Sequence, residues 1–177
     1  MRLLSIFSSM LQATAAKTPE APGPDAKAIA LIEKSGGSVR PLAQNDDRLE
    51  VSFYLQGPSI KDADVAPVAT LHKVAILHLG NTAITGAALA YVKPLTDLEQ
   101  LHLEKTRITG KDLANLKDLK KLTYLNLYGS GVDDAGLEQL AGLTNLKHLY
   151  VFQTKVTAAG IARLKQSLPN LEIVSGL

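Results

Sequence analysis

Two histidines and one glutamate have the residue types and the spacing that could bind a metal ion. His78 and His102 recur at the interval of a sequence repeat described below, and Glu104 comes two positions after His102. Two histidines and one carboxylate form a recognised transition-metal site. The alternative is that these side chains lie on an open surface and contact a binding partner, because a metal site also needs supporting hydrogen bonds around its ligands. We favour the partner-facing interpretation and predict no metal ion and no cofactor.

The sequence contains no recognisable catalytic motif. The G-x-S-x-G, H-E-x-x-H and Walker-type phosphate-loop patterns are missing. The chain has no cysteine, which excludes disulfide bonds, thiol catalysis and cysteine-bound zinc or iron–sulfur sites. We therefore predict that the protein is not an enzyme.

Composition and charge narrow the class of protein further. The chain has 177 residues, of which 46% are hydrophobic and 20% charged, which suits one folded domain. Its net charge of +2 is too small to indicate nucleic-acid binding, and we interpret the basic stretch at 105–121 as a solvated outer face. No apolar run reaches the roughly 18 residues needed to cross a bilayer. We expect a monomer without a stable membrane span.

The N-terminus has the composition of a secretory signal peptide. A single basic residue is followed by a short apolar run, and an A-x-A pattern of small residues ends at Ala15. This predicts a signal peptide at 1–15, cleavage before Ala16, and export to the periplasm or the medium. An uncleaved chain that stays in the cytoplasm is the alternative. Three prolines at 16–24 predict an extended linker.

A regular sequence repeat with a period of twenty-four positions organises the rest of the chain. Apolar residues recur at repeat positions 1, 4, 6, 11, 16, 19 and 22, and five repeats follow one another in phase. The last repeat has one extra residue, and the first has Glu50 at position 1 instead of an apolar residue. The repeats span 50–73, 74–97, 98–121, 122–145 and 146–170.

The repeat pattern predicts one strand and one helical segment in each unit. Positions 4 and 6 alternate as in a strand, and both point inward, while positions 16, 19 and 22 suit one face of a helix or a loose helical turn. Stacked repeats then share one core, with parallel strands in a curved sheet. Position 12 holds amino acids that cap helix N-termini. They are Thr85, Thr109, Asp133 and Thr157.

Position 9 carries a hydroxyl group in four of the five repeats. We predict that each hydroxyl bonds backbone groups at the bend between strand and helix. The first repeat has Pro58 there, so its turn should bend differently. The four hydroxyl residues are Thr82, Thr106, Ser130 and Thr154.

The segment LEQLHLEKTRITGKDLANLKDLKK at 98–121 resembles a leucine-rich repeat, in the bacterial 24-residue form abundant in planctomycete proteins. The resemblance implies an α/β fold: a right-handed solenoid with a parallel concave β-sheet and helices or turns on the convex side. It also implies a role in protein–protein interaction. Animal and plant repeats usually have Asn or Cys at position 9, so we do not transfer their receptor or F-box functions.

Both ends of the array have the pattern of caps. We predict an N-terminal cap at 25–49, made of a helix over 25–37 and an edge strand at 38–40. The five repeats then occupy 50–170, and a capping strand lies in 171–177. Terminal repeats of solenoids are atypical because they meet water.

The outward strand positions 3, 5 and 7 collect most of the tyrosines and histidines, and binding sites favour tyrosine. The alternative is that aromatic residues simply favour strands. We predict one aromatic patch formed by Tyr124, Tyr128, Tyr150 and Phe152. The candidate partner-binding residues are Tyr54, His78, His102, Glu104, Tyr124, Tyr128, His148, Tyr150 and Phe152.

These residues predict a non-catalytic module that binds an unidentified protein through its concave face. An envelope protein that binds a glycan or small ligand with the same aromatic face is the alternative, although the chain has no tryptophan. A structural spacer without a ligand is a third possibility, because fold does not determine function.

Overall fold

The computed structural model describes residues 23–176. The predicted signal peptide and most of the predicted linker lie outside these residues. The described chain forms one open sheet of seven strands, whose spatial order is their order along the chain. The strands are β1 (Ser38–Ala43), β2 (Asp46–Ser52), β3 (Val74–His78), β4 (Gln100–His102), β5 (Tyr124–Asn126), β6 (His148–Tyr150) and β7 (Glu172–Val174).

Helical segments connect the strands and pack on one another on the convex side. Most are short, and several are 3-10 helices, which fits the three-residue spacing of their apolar residues. The α-helices are α1 (Ala26–Lys34), α2 (Asp62–Val65), α3 (Leu89–Val92), α4 (Asp134–Glu138) and α5 (Ala158–Ser167), and the 3-10 helices are Tyr54–Ser59, Ala66–Thr70, Gly86–Ala88 and Gly110–Leu116. No helix within 23–176 is long and apolar enough to cross a membrane.

The sheet is parallel except at its first pair. Strand β1 pairs antiparallel with β2, and β2 to β7 then run parallel. From β3 onward each residue pairs with its equivalent in the next repeat, so that Leu101 lies between Leu77 and Leu125. The fold is therefore an α/β leucine-rich-repeat solenoid, as the repeat predicted.

The core consists of the apolar repeat positions. In the repeat at 98–121 all seven are completely buried, and the corresponding side chains of neighbouring rungs stack on them in one continuous cluster. Each rung alone would expose these side chains, so the hydrophobic free energy is gained only when rungs stack. The seven are Leu98, Leu101, Leu103, Ile108, Leu113, Leu116 and Leu119.

The hydroxyl groups at repeat position 9 bond the strand that precedes them. The Oγ1 atoms of Thr82, Thr106 and Thr154 donate to backbone carbonyl oxygens three residues earlier, at 2.6, 2.7 and 2.6 Å. The prediction is confirmed for these threonines. It is wrong for Ser130, whose buried Oγ has no hydrogen-bond partner among the described residues.

Side chains at the predicted capping position cap the helical segments, and carboxylates join some of them to the preceding rung. The Asp133 side chain accepts from the backbone N–H of Gly136 at 3.0 Å. Asp134 accepts from both the N–H and the hydroxyl of Thr157 in the next rung, at 2.8 and 2.7 Å. These N–H groups lack partners within a helix, so the caps satisfy them and also hold rungs in register.

The first repeat departs from the predicted phase. The sequence assigned Phe53 and Leu55 to the inward positions, but Phe53 is fully buried at the place of Leu79 in the next rung, and Leu55 is 87% exposed. Seven positions separate Phe53 from Ile60, whereas five separate Leu79 from Ile84. The two extra residues lie in the 3-10 helix that contains Pro58, so this turn does bend differently.

Candidate functional site

The sheet places the polar and aromatic strand residues on one exposed surface. In β4 the Leu101 side chain is buried, whereas Gln100 and His102 point to the opposite face. We define the concave face as the side chains at repeat positions 3, 5 and 7. Because each strand pairs in register with the next, residues at equal positions form ladders across it.

Four rings form a continuous series across the concave face, which we call the aromatic row. The centroid of His78 lies 4.2 Å from that of His102, Tyr124 follows at 4.8 Å, and Tyr150 at 5.2 Å from Tyr124. The two histidines are ladder partners, whereas each later contact runs diagonally from one strand to the next. The half-buried rings present a rigid surface with few rotatable bonds.

A second group of rings lies just beyond the C-terminal ends of the strands. Tyr128 and Phe152 stack with centroids 5.7 Å apart and planes 5° from parallel, and we call them the aromatic pair. The Lys105 Nζ lies 5.4 Å from the Tyr128 centroid, within the range of a cation–π contact. The four residues of the predicted patch thus make ring contacts in two pairs, Tyr124 with Tyr150 and Tyr128 with Phe152, and a single patch stays a prediction.

Carboxylates lie close to two of the histidines on the concave face. His78 Nε2 lies 3.6 Å from Glu50 Oε1, which also accepts from Arg40 at 3.1 Å. His148 Nδ1 lies 3.0 Å from Glu172 Oε2 in the neighbouring strand. Sequence reasoning did not select Glu50 or Glu172, because each belongs to a terminal rung where the repeat pattern is weakest.

His102 is the most altered titratable group on this face. Burial of its ring, and secondly the neighbouring His78, lower the pKa of His102 to about 4. Both effects disfavour the imidazolium form, so His102 is neutral at pH 7. Burial also raises the pKa of the Tyr124 hydroxyl above its ordinary value.

Glu104 lies beside His102 in a space left open by a glycine. A Cβ atom added to Gly80 would lie 2.2 Å from Glu104 Oε1, so the carboxylate covers the glycine backbone directly. Glu104 Oε2 is 3.9 Å from His102 Nδ1, beyond hydrogen-bond distance, and this buried oxygen has no partner among residues 23–176. Sequence reasoning selected Glu104 but missed Gly80, which makes room for it.

The metal alternative has no support in this geometry. The rings of His78 and His102 pack against each other with centroids 4.2 Å apart and a 30° tilt between their planes. Within the described part of the chain, no group of three histidine, aspartate or glutamate residues is arranged to hold a metal ion.

Tyr54 does not lie where the sequence placed it. Glu50 pairs with Ile76 and Ser52 with His78, so Ser52 occupies position 5 and Tyr54 falls two residues beyond it. Tyr54 begins the 3-10 helix after β2 and is 54% exposed. The sequence assignment was wrong because it counted repeat positions back from the helical half of the first repeat. The turn between strand and helical half is two residues longer in this repeat, so that count is shifted by two residues in the strand.

Comparison with known proteins supports a leucine-rich-repeat family. An internalin (inlF) from Listeria monocytogenes is 28% identical over 62% of this chain and 30% of its own length, with a TM-score of 0.54. A leucine-rich-repeat protein of Leptospira interrogans is 25% identical over 61% of this chain and 27% of its own, with a TM-score of 0.49. The chain thus spans less than a third of either bacterial protein.

A third structure shares the fold alone. The actin-binding site 2 domain of leiomodin-1 is 16% identical and has a TM-score of 0.56, with 85% of this chain and 90% of that chain covered. No protein-family model and no curated protein matches the sequence.

Proposed function

We propose that this leucine-rich-repeat chain is a non-catalytic module that binds another protein through its concave face. The observation that carries the proposal is the aromatic row, in which four rings on four adjacent strands lie at the solvent-facing surface of a rigid sheet. Large rings with few rotatable bonds lose little entropy on binding and dominate many protein interfaces. Stable interfaces bury on the order of 800 Å² on each partner, which an open sheet of this kind can supply.

The residues of this proposed site come from the strands and from the turns directly after them. Tyr54, which falls at position 7 of the first rung, is not included, because it begins a 3-10 helix and makes no ring contact with the aromatic row or the aromatic pair among the described residues. The aromatic row and the aromatic pair provide the contact area, and Glu104 and His148 provide polar groups beside them. The proposed partner-binding residues are His78, His102, Glu104, Tyr124, Tyr128, His148, Tyr150 and Phe152.

A comparison of two baits tests the proposal. The full chain and a variant with Tyr124, Tyr150 and Phe152 changed to Ala are immobilised and exposed to an extract of cells that produce the protein. Retained proteins are identified by mass spectrometry. We expect at least one protein to be retained by the parent and reduced about tenfold or more on the variant, because the variant removes the centre of the face.

A control variant separates the concave face from the rest of the surface. Lys111→Ala/Lys117→Ala changes two exposed residues around the 3-10 helix Gly110–Leu116, on the convex side. It should retain the same proteins as the parent, and circular dichroism should show all three proteins folded. Equal retention by the parent and the aromatic variant would refute the concave face as the binding site. Failure of all baits to retain any protein would count against protein binding and make glycan arrays the next test.

We further propose that the protein is exported. The support is the sequence of residues 1–15, with its basic start, apolar run and small-residue cleavage pattern. Expression of the full chain in a bacterial host, followed by fractionation and mass spectrometry, should find a mature N-terminus at Ala16 outside the cytoplasm. An intact N-terminus in the cytoplasmic fraction would refute export.

A further inference from the structure

Glu104 is an unpaired carboxylate on the concave face, at position 7 of a middle rung and just beyond the end of β4. Its side chain retains 18% exposure, its Oε2 has no hydrogen-bond partner among the described residues, and the nearest histidine nitrogen is 3.9 Å away. A carboxylate that is desolvated without a donor is held at a free-energy cost. A donor supplied by a partner would relieve that cost.

The acidic and basic residues at the defined positions of the concave face are all glutamates, although the Arg40 and Lys105 side chains reach the face from β1 and from repeat position 8. Positions 3, 5 and 7 of the rungs formed by β2 to β7 hold Glu50, Glu104 and Glu172 and no lysine or arginine, although the whole chain carries a net charge of +2. Glu50 is paired with Arg40, and Glu172 lies against His148. Of these three glutamates, Glu104 is therefore the one whose carboxylate has no close partner among the described residues.

The rings beside Glu104 also suit a cation. Tyr128 occupies the same repeat position as Glu104 on the neighbouring rung, and the Lys105 ammonium already lies 5.4 Å from its ring centroid. The His102 ring connects Glu104 with Tyr124, because its Nδ1 is 3.9 Å from Glu104 Oε2 and its centroid is 4.8 Å from that of the Tyr124 ring. The adjoining His102 is neutral at pH 7 and adds no repulsion. Carboxylates beside tyrosine rings bind guanidinium and ammonium groups through ion pairing and cation–π contact.

We propose that the concave face selects a protein segment that presents a lysine or arginine, whose cationic group binds the Glu104 carboxylate beside Tyr124 and Tyr128. This inference rests on the proposed function, because it names the chemistry of the partner that the face binds. Gly80 is a positioning residue in this site, since its lack of a side chain lets Glu104 lie flat on the sheet.

A random-peptide display library is the probe. Peptides of moderate length are selected on the full chain, and retained sequences are compared with the unselected library. We expect lysine and arginine to be enriched about twofold or more. A synthesised retained peptide should bind Glu104→Gln about tenfold more weakly, as should the same peptide with its basic residues changed to Gln on the parent chain.

Two further variants separate the position of the charge from its amount. Gly80→Ala leaves the net charge unchanged but displaces the flexible end of Glu104, so it should weaken the same peptide several-fold. Lys105→Ala removes a positive charge and should leave binding unchanged or tighten it. Thermal unfolding checks that each variant is folded, and Glu104→Gln should not lower stability, because it removes a desolvated charge.

The outcomes distinguish this inference from the proposed function. Enrichment of neutral or acidic peptides that bind the parent but not the Tyr124/Tyr150/Phe152→Ala variant would overturn the inference and leave the proposed function standing. Basic peptides that bind Glu104→Gln and Gly80→Ala as tightly as the parent would also overturn it. Peptides that bind the aromatic variant unchanged, or a library that gives no enrichment at all, would count against both.

Discussion

The imidazole ring of His102 packs against that of His78, with 4.2 Å between their centroids and a 30° tilt between their planes, because the two residues are ladder partners on β3 and β4. Two imidazolium ions at this separation would repel each other, and the His102 ring is also largely removed from water. His102 is therefore neutral over the physiological pH range.

Protonation of His102 should destabilise the fold. The pKa of His102 is about 4 in the folded chain, against about 6.5 in an unfolded chain. Between these values the unfolded state binds more protons, so this contribution is complete above about pH 6.5 and is lost as the pH falls towards 4. In urea denaturation, the parent should lose more stability than His102→Gln between pH 7 and pH 5, by about 1–2 kcal/mol.

The titration of the His102 ring can be followed directly by NMR. Its midpoint should lie near 4 in the folded parent. It should rise in a His78→Gln variant, because the like charge on the neighbouring ring is then removed. A midpoint near the ordinary value of about 6.5 in the parent would contradict the burial argument.

The hydroxyls at repeat position 9 should contribute unequally to stability. Thr106→Ala removes a bond of 2.7 Å to the Leu103 carbonyl and should lower the free energy of unfolding by about 1–2 kcal/mol. Ser130→Ala removes a buried hydroxyl that has no partner and should change it by less than about 0.5 kcal/mol. Ser130→Thr should stabilise the chain by about 0.5–1 kcal/mol if the added methyl group orients the hydroxyl towards the strand, as in the threonine rungs. Equal losses for both alanine variants would contradict this account.

Repeat position 8 adopts left-handed backbone geometry in four successive rungs. The φ angles are 59° at Asn81, 51° at Lys105, 66° at Gly129 and 56° at Gln153. Gly129→Ala should lower the free energy of unfolding by about 1–2 kcal/mol, because a Cβ atom is strained in this region. Gln153→Gly should raise it by less than about 1 kcal/mol, since the glycine also adds entropy to the unfolded chain. Chemical denaturation measures both, and a neutral Gly129→Ala would show that the turn relaxes.

Sequence reasoning predicted the rungs that repeat without interruption. Leu101 and Leu125 are buried ladder partners. Because the repeat period is constant in these rungs, only one strand register buries every leucine. The left-handed turns escaped prediction, because residues as different as Gly129 and Lys105 fill the same position. The position of the Glu104 side chain was not predicted either. It depends on the space that Gly80, which has no side chain, leaves on the neighbouring rung.

The first rung shows where a repeat pattern stops determining structure. The sequence around Phe53 and Leu55 offers apolar residues at two alternative phases, and the helical half of the repeat matches one of them. The strand adopts the other phase, because it buries Val51 and Phe53 completely and the longer turn at Pro58 absorbs the two-residue difference. The repeat pattern therefore does not determine the length of a turn that departs from the repeat period.

Substitutions at the two competing apolar residues test this register. Phe53 is fully buried, and two of its ring carbons lie 2.9 and 3.0 Å from where a Gly37 Cβ would stand, next to the Ile32 side chain of α1. Phe53→Ala should therefore lower the free energy of unfolding by about 3–5 kcal/mol and loosen α1 from the first rung. Leu55→Ala should change it by less than about 0.5 kcal/mol, because that side chain is 87% exposed. Urea denaturation gives both values, and hydrogen exchange of the α1 amides reports the loosening. Comparable losses for the two variants would mean that Leu55 packs inward, because in the phase predicted from the sequence both side chains belong to the core.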